Sequence, residues 1–326
     1  MKIIWAIDAF EDHKELNDMM ALYLTRLHEK CQAEVEPLYL LRENEIILPT
    51  YEVPTWVTDH SHTAEAMFKE VLASYNLPFL KDPKVIPHTA TSHGGTAEAL
   101  SEYATRAGAD LILIGSHGRK GLQRFFLGSF AESLLLQSRV PCLVIGAHVN
   151  RLSGINNILF PTEFGEHSKE NYQHVLNLAK MFGAQITLLH AITRPIESLF
   201  EVDARPQVFN YDGKMMTLEQ IVEMQIELQS RKAQQWTDWA YKEGVNASYI
   251  IDNTFKSIDD LITDSVEVNE IDLVVMEAQS GPMSAAILGS NTRNVTRMAS
   301  CPVYVITRHY YDLPKGASAT ELRPPF

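Results

Sequence analysis

The sequence predicts an α/β protein built from two tandem, doubly wound, five-stranded parallel sheets, and three observations carry that prediction. Short apolar, β-branched runs alternate with stretches whose apolar residues recur at helical spacing, as parallel strands joined by crossover helices require. The order of these elements occurs twice, at a period of about 155 residues, far too long for a stacked repeat and therefore the mark of a duplicated domain. The chain has 326 residues and a hydrophobic content of 45%. Two domains of about 150 residues each are the default for that length, and each can bury its own core.

The first half opens with the strand IIWAID (3–8) and an amphipathic stretch from Lys14 to Lys30. AEVEPLYLL (33–41) follows, then an irregular segment, a helix near 63–75, the strand KVIPHTA (84–90) and a helix near 96–107. DLILIG (110–115), a Gly-rich loop, a helix near 129–138 and PCLVIG (141–146) close the half. In the second half NILFPTE (157–163) stands where IIWAID stood, and AQITLLHAI (184–192) matches AEVEPLYLL. IDLVVM (271–276) matches ADLILI and CPVYVI (301–306) matches VPCLVI, with Asp110 aligned on Asp272. The domains are expected at 1–149 and 150–309, joined through a short polar stretch near Ala147–Gly154. An aperiodic tail is expected at 310–326. A long helix is expected over 217–244. Its Trp236 and Trp239 are read either as a face for a partner or as packing on the sheet.

Two long segments, 42–60 and 193–214, hold prolines and aromatics that break regular structure. They leave the carboxyl ends of strands, the ligand-binding edge of such a sheet, so each is read as a lid or as a plain surface flap.

Lys and Arg number 28 against 41 Asp and Glu, a formal net charge of −13. That sign argues against nucleic acid or an anionic membrane as a general partner. It does not exclude an anionic small molecule, because local backbone dipoles bind phosphate even in an acidic protein. Cys31, Cys142 and Cys301 form no CxxC pair and are expected as thiols in a reducing compartment. The apolar start before Asp8 is too short for a signal peptide. No stretch approaches the roughly 20 apolar residues of a membrane span, so a soluble, cytoplasmic protein is expected.

The chemistry concentrates in GSHGRKGLQRFFLGS (115–129), directly after the apolar run LILI. Glycines let the main chain approach a ligand and turn successive N–H groups onto one anion. Gly128 and Ser129 at a helix start add orphan amides, the favourable dipole end and a hydroxyl. Arg119, Lys120 and Arg124 supply neutralising charge, and His117 lies beside them. A plain turn into a Ser-capped helix needs one glycine and one serine, and on that reading Gly115, Gly118 and Gly121 lack a purpose. The spaced set is therefore read as a phosphate site.

Gly115-x2-Gly118-x9-Gly128-Ser129 closely resembles the nucleotide-binding motif of the universal stress protein family, and VPCLVI and SCPVYVI resemble its closing strand. The resemblance covers both halves and is motif-specific in the first. It implies a Rossmann-like fold of the adenine nucleotide α-hydrolase type, with the halves packed as a pseudo-dimer through their last strands. It also implies an ATP site, with or without Mg2+, made by Asp8, the backbone of Leu40 or Leu41, Gly115, His117, Gly118, Arg119, Gly128 and Ser129. From the residues themselves, Asp8 ends an apolar strand at the switch point, where a carboxylate can accept from an amino group or hydroxyl, and it can also cap the helix that follows it. Stress signalling without turnover is the implied role, with a protein partner or a homodimer as its target.

The second half departs from the motif. Glu163 replaces Asp8, Glu277 and Ser280 stand where Gly115 and Gly118 stood, and Pro282 removes a donor. Glu277 would oppose a phosphate, an unfavourable contact of roughly several kcal/mol in a low-dielectric site. This half is not expected to bind a triphosphate in the same way.

No catalytic residue and no metal ligand is assigned. His60 and His62 fall on an irregular segment and are read as solvent-facing. His88 alternates with Ile86 on a strand that runs to the ligand edge and can line a pocket, while a metal site wants ligands on one face at defined spacing, often with cysteine or carboxylate help. Cys142 and Cys301 read as core residues. Two other functions remain open: slow ATP hydrolysis, and a scaffold or a binder of a lipid-like molecule or metal in the altered second pocket. Neither a Walker loop nor paired carboxylates for two-metal chemistry supports turnover.

Overall fold

A computed structural model describes residues 1–7, 14–42, 56–89, 92–116, 127–150, 154–192, 208–211, 213–278 and 288–312. The first repeat runs β1 (Lys2–Ala6), α1 (Lys14–Cys31), β2 (Glu34–Arg42), α2 (Trp56–Ala73), β3 (Lys84–His88), α3 (His93–Arg106), β4 (Leu111–Gly115), α4 (Ser129–Gln137) and β5 (Cys142–Ile145). The second runs β6 (Asn157–Pro161), α5 (His167–Phe182), β7 (Gln185–Ala191), a hairpin β8 (Val208–Tyr211) and β9 (Lys214–Thr217), α6 (Leu218–Lys242), β10 (Ala247–Asp252), α7 (Ile258–Val268), β11 (Leu273–Glu277), α8 (Ser290–Met298) and β12 (Val303–Ile306). The chain divides into two compact units, one of Met1–Gly154 with Met276–Phe326, the other of Ile155–Val275. The end of the second repeat thus lies in the first unit.

In the first unit the strand order is β12-β5-β4-β1-β2-β3, all parallel except for the antiparallel pair β5–β12. Its centre is apolar because both faces are covered: Ile3, Ile4 and Trp5 of β1 and Ile112 and Leu113 of β4 have no exposed surface. In the second unit the order is β10-β7-β6-β11, all parallel.

The aspartate before the fourth strand of each repeat has the same task. Asp110 Oδ2 accepts from the Lys2 N–H at 2.7 Å. Asp272 Oδ2 accepts from the N–H groups of Asn156 and Asn157, both at 2.9 Å. Each carboxylate satisfies the amides that open the first strand of its repeat, which is why these two positions align in the sequence. Pro37 sits inside β2 because the β2–β3 register begins one residue later, at Leu38 opposite Lys84, so its missing N–H interrupts no ladder.

Helix ends follow local chemistry. Ser92 caps α3 and Ser257 caps α7 through their side chains, and Thr217 with Gln220 forms a capping box on α6. Gly183 ends α5 in the left-handed conformation.

Two expectations need correction. The helix expected near 63–75 begins at Trp56, so His60 and His62 lie on α2 and not on an irregular segment; His62 is exposed. The segment expected to be irregular to residue 214 ends in the β8–β9 hairpin, with Phe209 opposite Met216. Trp236 and Trp239 pack inward: Trp236 stacks on Tyr172 at 4.6 Å and Trp239 meets the same ring edge-on at 5.3 Å. No helix among the described residues is long and apolar enough to cross a membrane.

Candidate functional site

The carboxyl edge of the first repeat is set by where its strands stop. Past the end of β1, the Ile7 N–H donates to Leu38 O at 3.1 Å, while β2 continues against β3 with Leu40 opposite Ile86 and Leu41 opposite Pro87. Successive residues of a parallel strand turn their peptide groups to alternate neighbours. Leu38 faces β1, so Leu40 faces the same side, past the carboxyl end of β1, and Leu41 faces β3. Of the two leucines expected from the sequence, Leu40 is the one with backbone groups on the β1 side.

β4 ends at Gly115 beside Ile145, and the next residue, Ser116, is buried with its N–H donating to Ile145 O at 2.9 Å. A Cβ on Gly115 would lie 2.6 Å from Leu16 Cδ2 and 2.9 Å from Leu16 Cγ. This glycine therefore has a packing task, the close seating of α1 on the end of β4. That corrects the argument that a plain turn leaves Gly115 without a purpose.

Gly128 opens α4 with φ −58° and ψ 140° and gives the helix no side-chain cap. Ser129, the first helical residue, is exposed. A helix start with a bare cap and an exposed hydroxyl fits an anion, since the first-turn amides need partners. Asp8, His117, Gly118 and Arg119 lie outside the described residues, as do Lys120, Gly121 and Arg124.

The second repeat keeps the helix start and changes what faces it. Gly289 opens α8 with φ −53° and ψ 137°, within a few degrees of Gly128. Here the preceding strand end takes one amide and one side-chain hydroxyl of that start. The Gly289 N–H donates to Ala278 O at 3.3 Å, and the buried Thr292 hydroxyl donates to Glu277 O at 2.8 Å. The counterpart of Thr292 in the first repeat is Ala131, which has no hydroxyl. Ser280 and Pro282 lie outside the described residues.

At the ends of β6 and β7 the second unit is filled by its own aromatic groups. Glu163 is exposed, and Phe164 turns inward with a left-handed φ of 53° and 6% exposure. Its ring meets Trp236 edge-on at 5.3 Å and lies 5.5 Å from His190, whose Nδ1 is 2.8 Å from Thr162 O. Burial lowers the His190 pKa, opposed by that backbone bond and by the Glu163 charge. Sequence reasoning missed this plug. Its only local signal is a phenylalanine where the first half carries Ala9.

Two of the remaining candidates, Cys142 and His88, are buried. Burial raises the Cys142 thiol to about 12, unsuited to a nucleophile. His88 is buried at the end of β3, and among the described residues no three His, Cys, Asp or Glu side chains gather to hold a metal.

A model of the universal stress protein family matches residues 1–146 and 154–307. A universal stress protein of Methanocaldococcus jannaschii is 40% identical over 58 residues, 18% of this chain and 34% of that protein. The stress response protein NhaX of Bacillus subtilis is 36% identical over 52 residues, 16% of this chain and 31% of its own. The chain thus matches about a third of the length of these curated relatives. The fold is that of a universal stress protein from Archaeoglobus fulgidus, with a TM-score of 0.62 at 17% identity over 94% of this chain and 96% of that one. A putative universal stress protein from Pseudomonas aeruginosa superposes with a TM-score of 0.55 at 13% identity, covering 94% and 92%. Matched twice along its length, the chain belongs to the universal stress protein family.

Proposed function

We propose that the first repeat, residues 1–149, binds one adenine nucleotide, ATP with magnesium, and that the second, residues 150–309, does not. The polyphosphate lies against the start of α4, contacted by the amides around Gly128 and Ser129 and by the loop of Gly118, with His117 and Arg119 at its rim. Asp8 and the backbone of Leu40 hold the nucleoside. Bound magnesium would offset phosphate charge. The chain's own residues bind and orient the nucleotide, and its occupancy acts as a signal to a protein partner in the cytoplasm.

One observation carries this reading. Two helix starts of nearly the same geometry differ in their partners. The start at Gly289 faces the chain's own carbonyls and the Glu277 strand end, whereas the start at Gly128 follows a strand that ends in glycine, within an intact motif.

Calorimetric titration of the full chain with ATP and magnesium tests it. One site per chain is expected. No binding, or two sites of similar affinity, would overturn the proposal.

A further inference from the structure

The antiparallel pair of β5 and β12, within the first unit, is centred on Leu143 opposite Tyr304, flanked by Cys142 opposite Val305 and Val144 opposite Val303. Counted from the helix-start glycine of each repeat, Gly128 or Gly289, Leu143 and Tyr304 occupy the same position. So do Cys142 and Val303, and Val144 and Val305. The pairing thus has a local two-fold axis, and a residue on that axis meets its own counterpart. The same count makes Glu132 and Arg293 counterparts. They also meet: the Arg293 guanidinium donates to the Glu132 carboxylate, both side chains about one-third exposed.

At two places among the described residues where the axis brings counterparts together, the repeats have diverged in complementary directions. One contact sets a carboxylate against a guanidinium. The other sets a leucine, 2% exposed, against a tyrosine, 4% exposed. A pairing of like repeats from two chains would put Glu132 against Glu132 or Arg293 against Arg293. It would also put two leucines where the space is cut for a leucine and a tyrosine, or two tyrosines there. Like charges and mismatched volumes are both unfavourable at a packed contact.

We infer that this surface, made by α4 and β5 on one side and α8 and β12 on the other, is heterotypic: it selects the unlike repeat and rejects association of like repeats between copies of the chain. It sets a specificity that the shared strand-edge pairing alone lacks, since backbone hydrogen bonds do not distinguish one edge from another.

Reciprocal swaps in the full chain test this. Glu132→Arg and Arg293→Glu, and separately Leu143→Tyr and Tyr304→Leu, are each expected to lower the melting temperature. The double swaps, Glu132→Arg with Arg293→Glu and Leu143→Tyr with Tyr304→Leu, are expected to recover most of the loss. Purely additive losses in both pairs would overturn the inference. A second readout does not depend on the swapped chains folding. Full-length Leu143→Cys, mildly oxidised, would form a 143–143 link between two chains if like repeats paired. Migration as the monomer on non-reducing electrophoresis is expected, and an interchain band absent from the parent chain would overturn the inference.

Discussion

The starts of α4 and α8 are the same piece of backbone placed in two chemical settings. Both open on a glycine with dihedral angles that agree to within a few degrees, and both helices end on a residue in the extended region. What differs lies across from them. In the second repeat Gly289 and Thr292 donate to carbonyls of the preceding strand end, and a carboxylate stands at Glu277. In the first repeat the strand ends in Gly115 and Ala131 replaces Thr292. Under the proposed function a helix start alone does not make a phosphate site: the difference lies in the strand end across from it, which in the second repeat takes the Gly289 amide and the Thr292 hydroxyl.

The largest expected effect breaks this comparison directly. Gly128→Asp places a carboxylate at the α4 cap. Against a phosphate at about 5 Å and an effective dielectric near 20, the repulsion is about 3 kcal/mol, roughly a hundredfold in Kd. Because Asp is a favoured cap in this backbone region, the folded chain should be as stable as before or slightly more so. Gly289→Asp should leave ATP affinity unchanged. Titration calorimetry on both variants measures the difference, and equal losses would remove the distinction between the repeats.

Acid sharpens the comparison next. Burial lowers His174 of α5 from 6.5 to about 4, and it also lowers His190. Counting back from the left-handed residue that ends each helix, Gln32 or Gly183, the first repeat has the buried Tyr23 at that position, with no imidazole. The native second unit binds fewer protons than its unfolded chain between the two His174 values, so its stability falls as pH drops from about 6.5 to about 4. The loss from His174 alone is up to roughly 3 kcal/mol. Urea unfolding followed by Trp236 and Trp239 fluorescence should show that slope, and His174→Phe should flatten it.

Gly146 offers a third contrast. A Cβ there would lie 3.0 Å from the Thr296 backbone oxygen, whereas its counterpart, Thr307, carries a buried side chain. Copying the second repeat into the first with Gly146→Thr should cost about 2 kcal/mol, read as a lowered melting temperature.

These asymmetries show how far the sequence carries. Strands such as LILIG and CLVI are legible because both faces are buried and the apolar run is unbroken. The motif glycines are legible too, but their reasons are not. Gly115 is shaped by Leu16, and Glu132 is answered by Arg293; neither partner lies within any local window. Phe164 is hidden differently. Its inward turn needs a left-handed backbone that a phenylalanine rarely adopts, held here by the Trp236 and His190 rings of distant elements. The start of α2 at Trp56 is masked by Pro49 and Pro54 just before it, which read as a loop and obscure the helical spacing beyond.

The smallest expected effect separates the two features that distinguish the second helix start. Thr292→Val removes the hydroxyl that donates to Glu277 O and keeps the shape, at a cost of about 1 kcal/mol, read in the denaturant midpoint. If the Glu277 carboxylate is what excludes phosphate, this variant still binds one ATP per chain. A second nucleotide appearing on Thr292→Val would mean instead that the hydroxyl, by tying α8 to the strand end, keeps the site shut. Glu277→Gly on the same background then separates charge from closure, because it removes the carboxylate from a helix start that the loss of the hydroxyl has already untied.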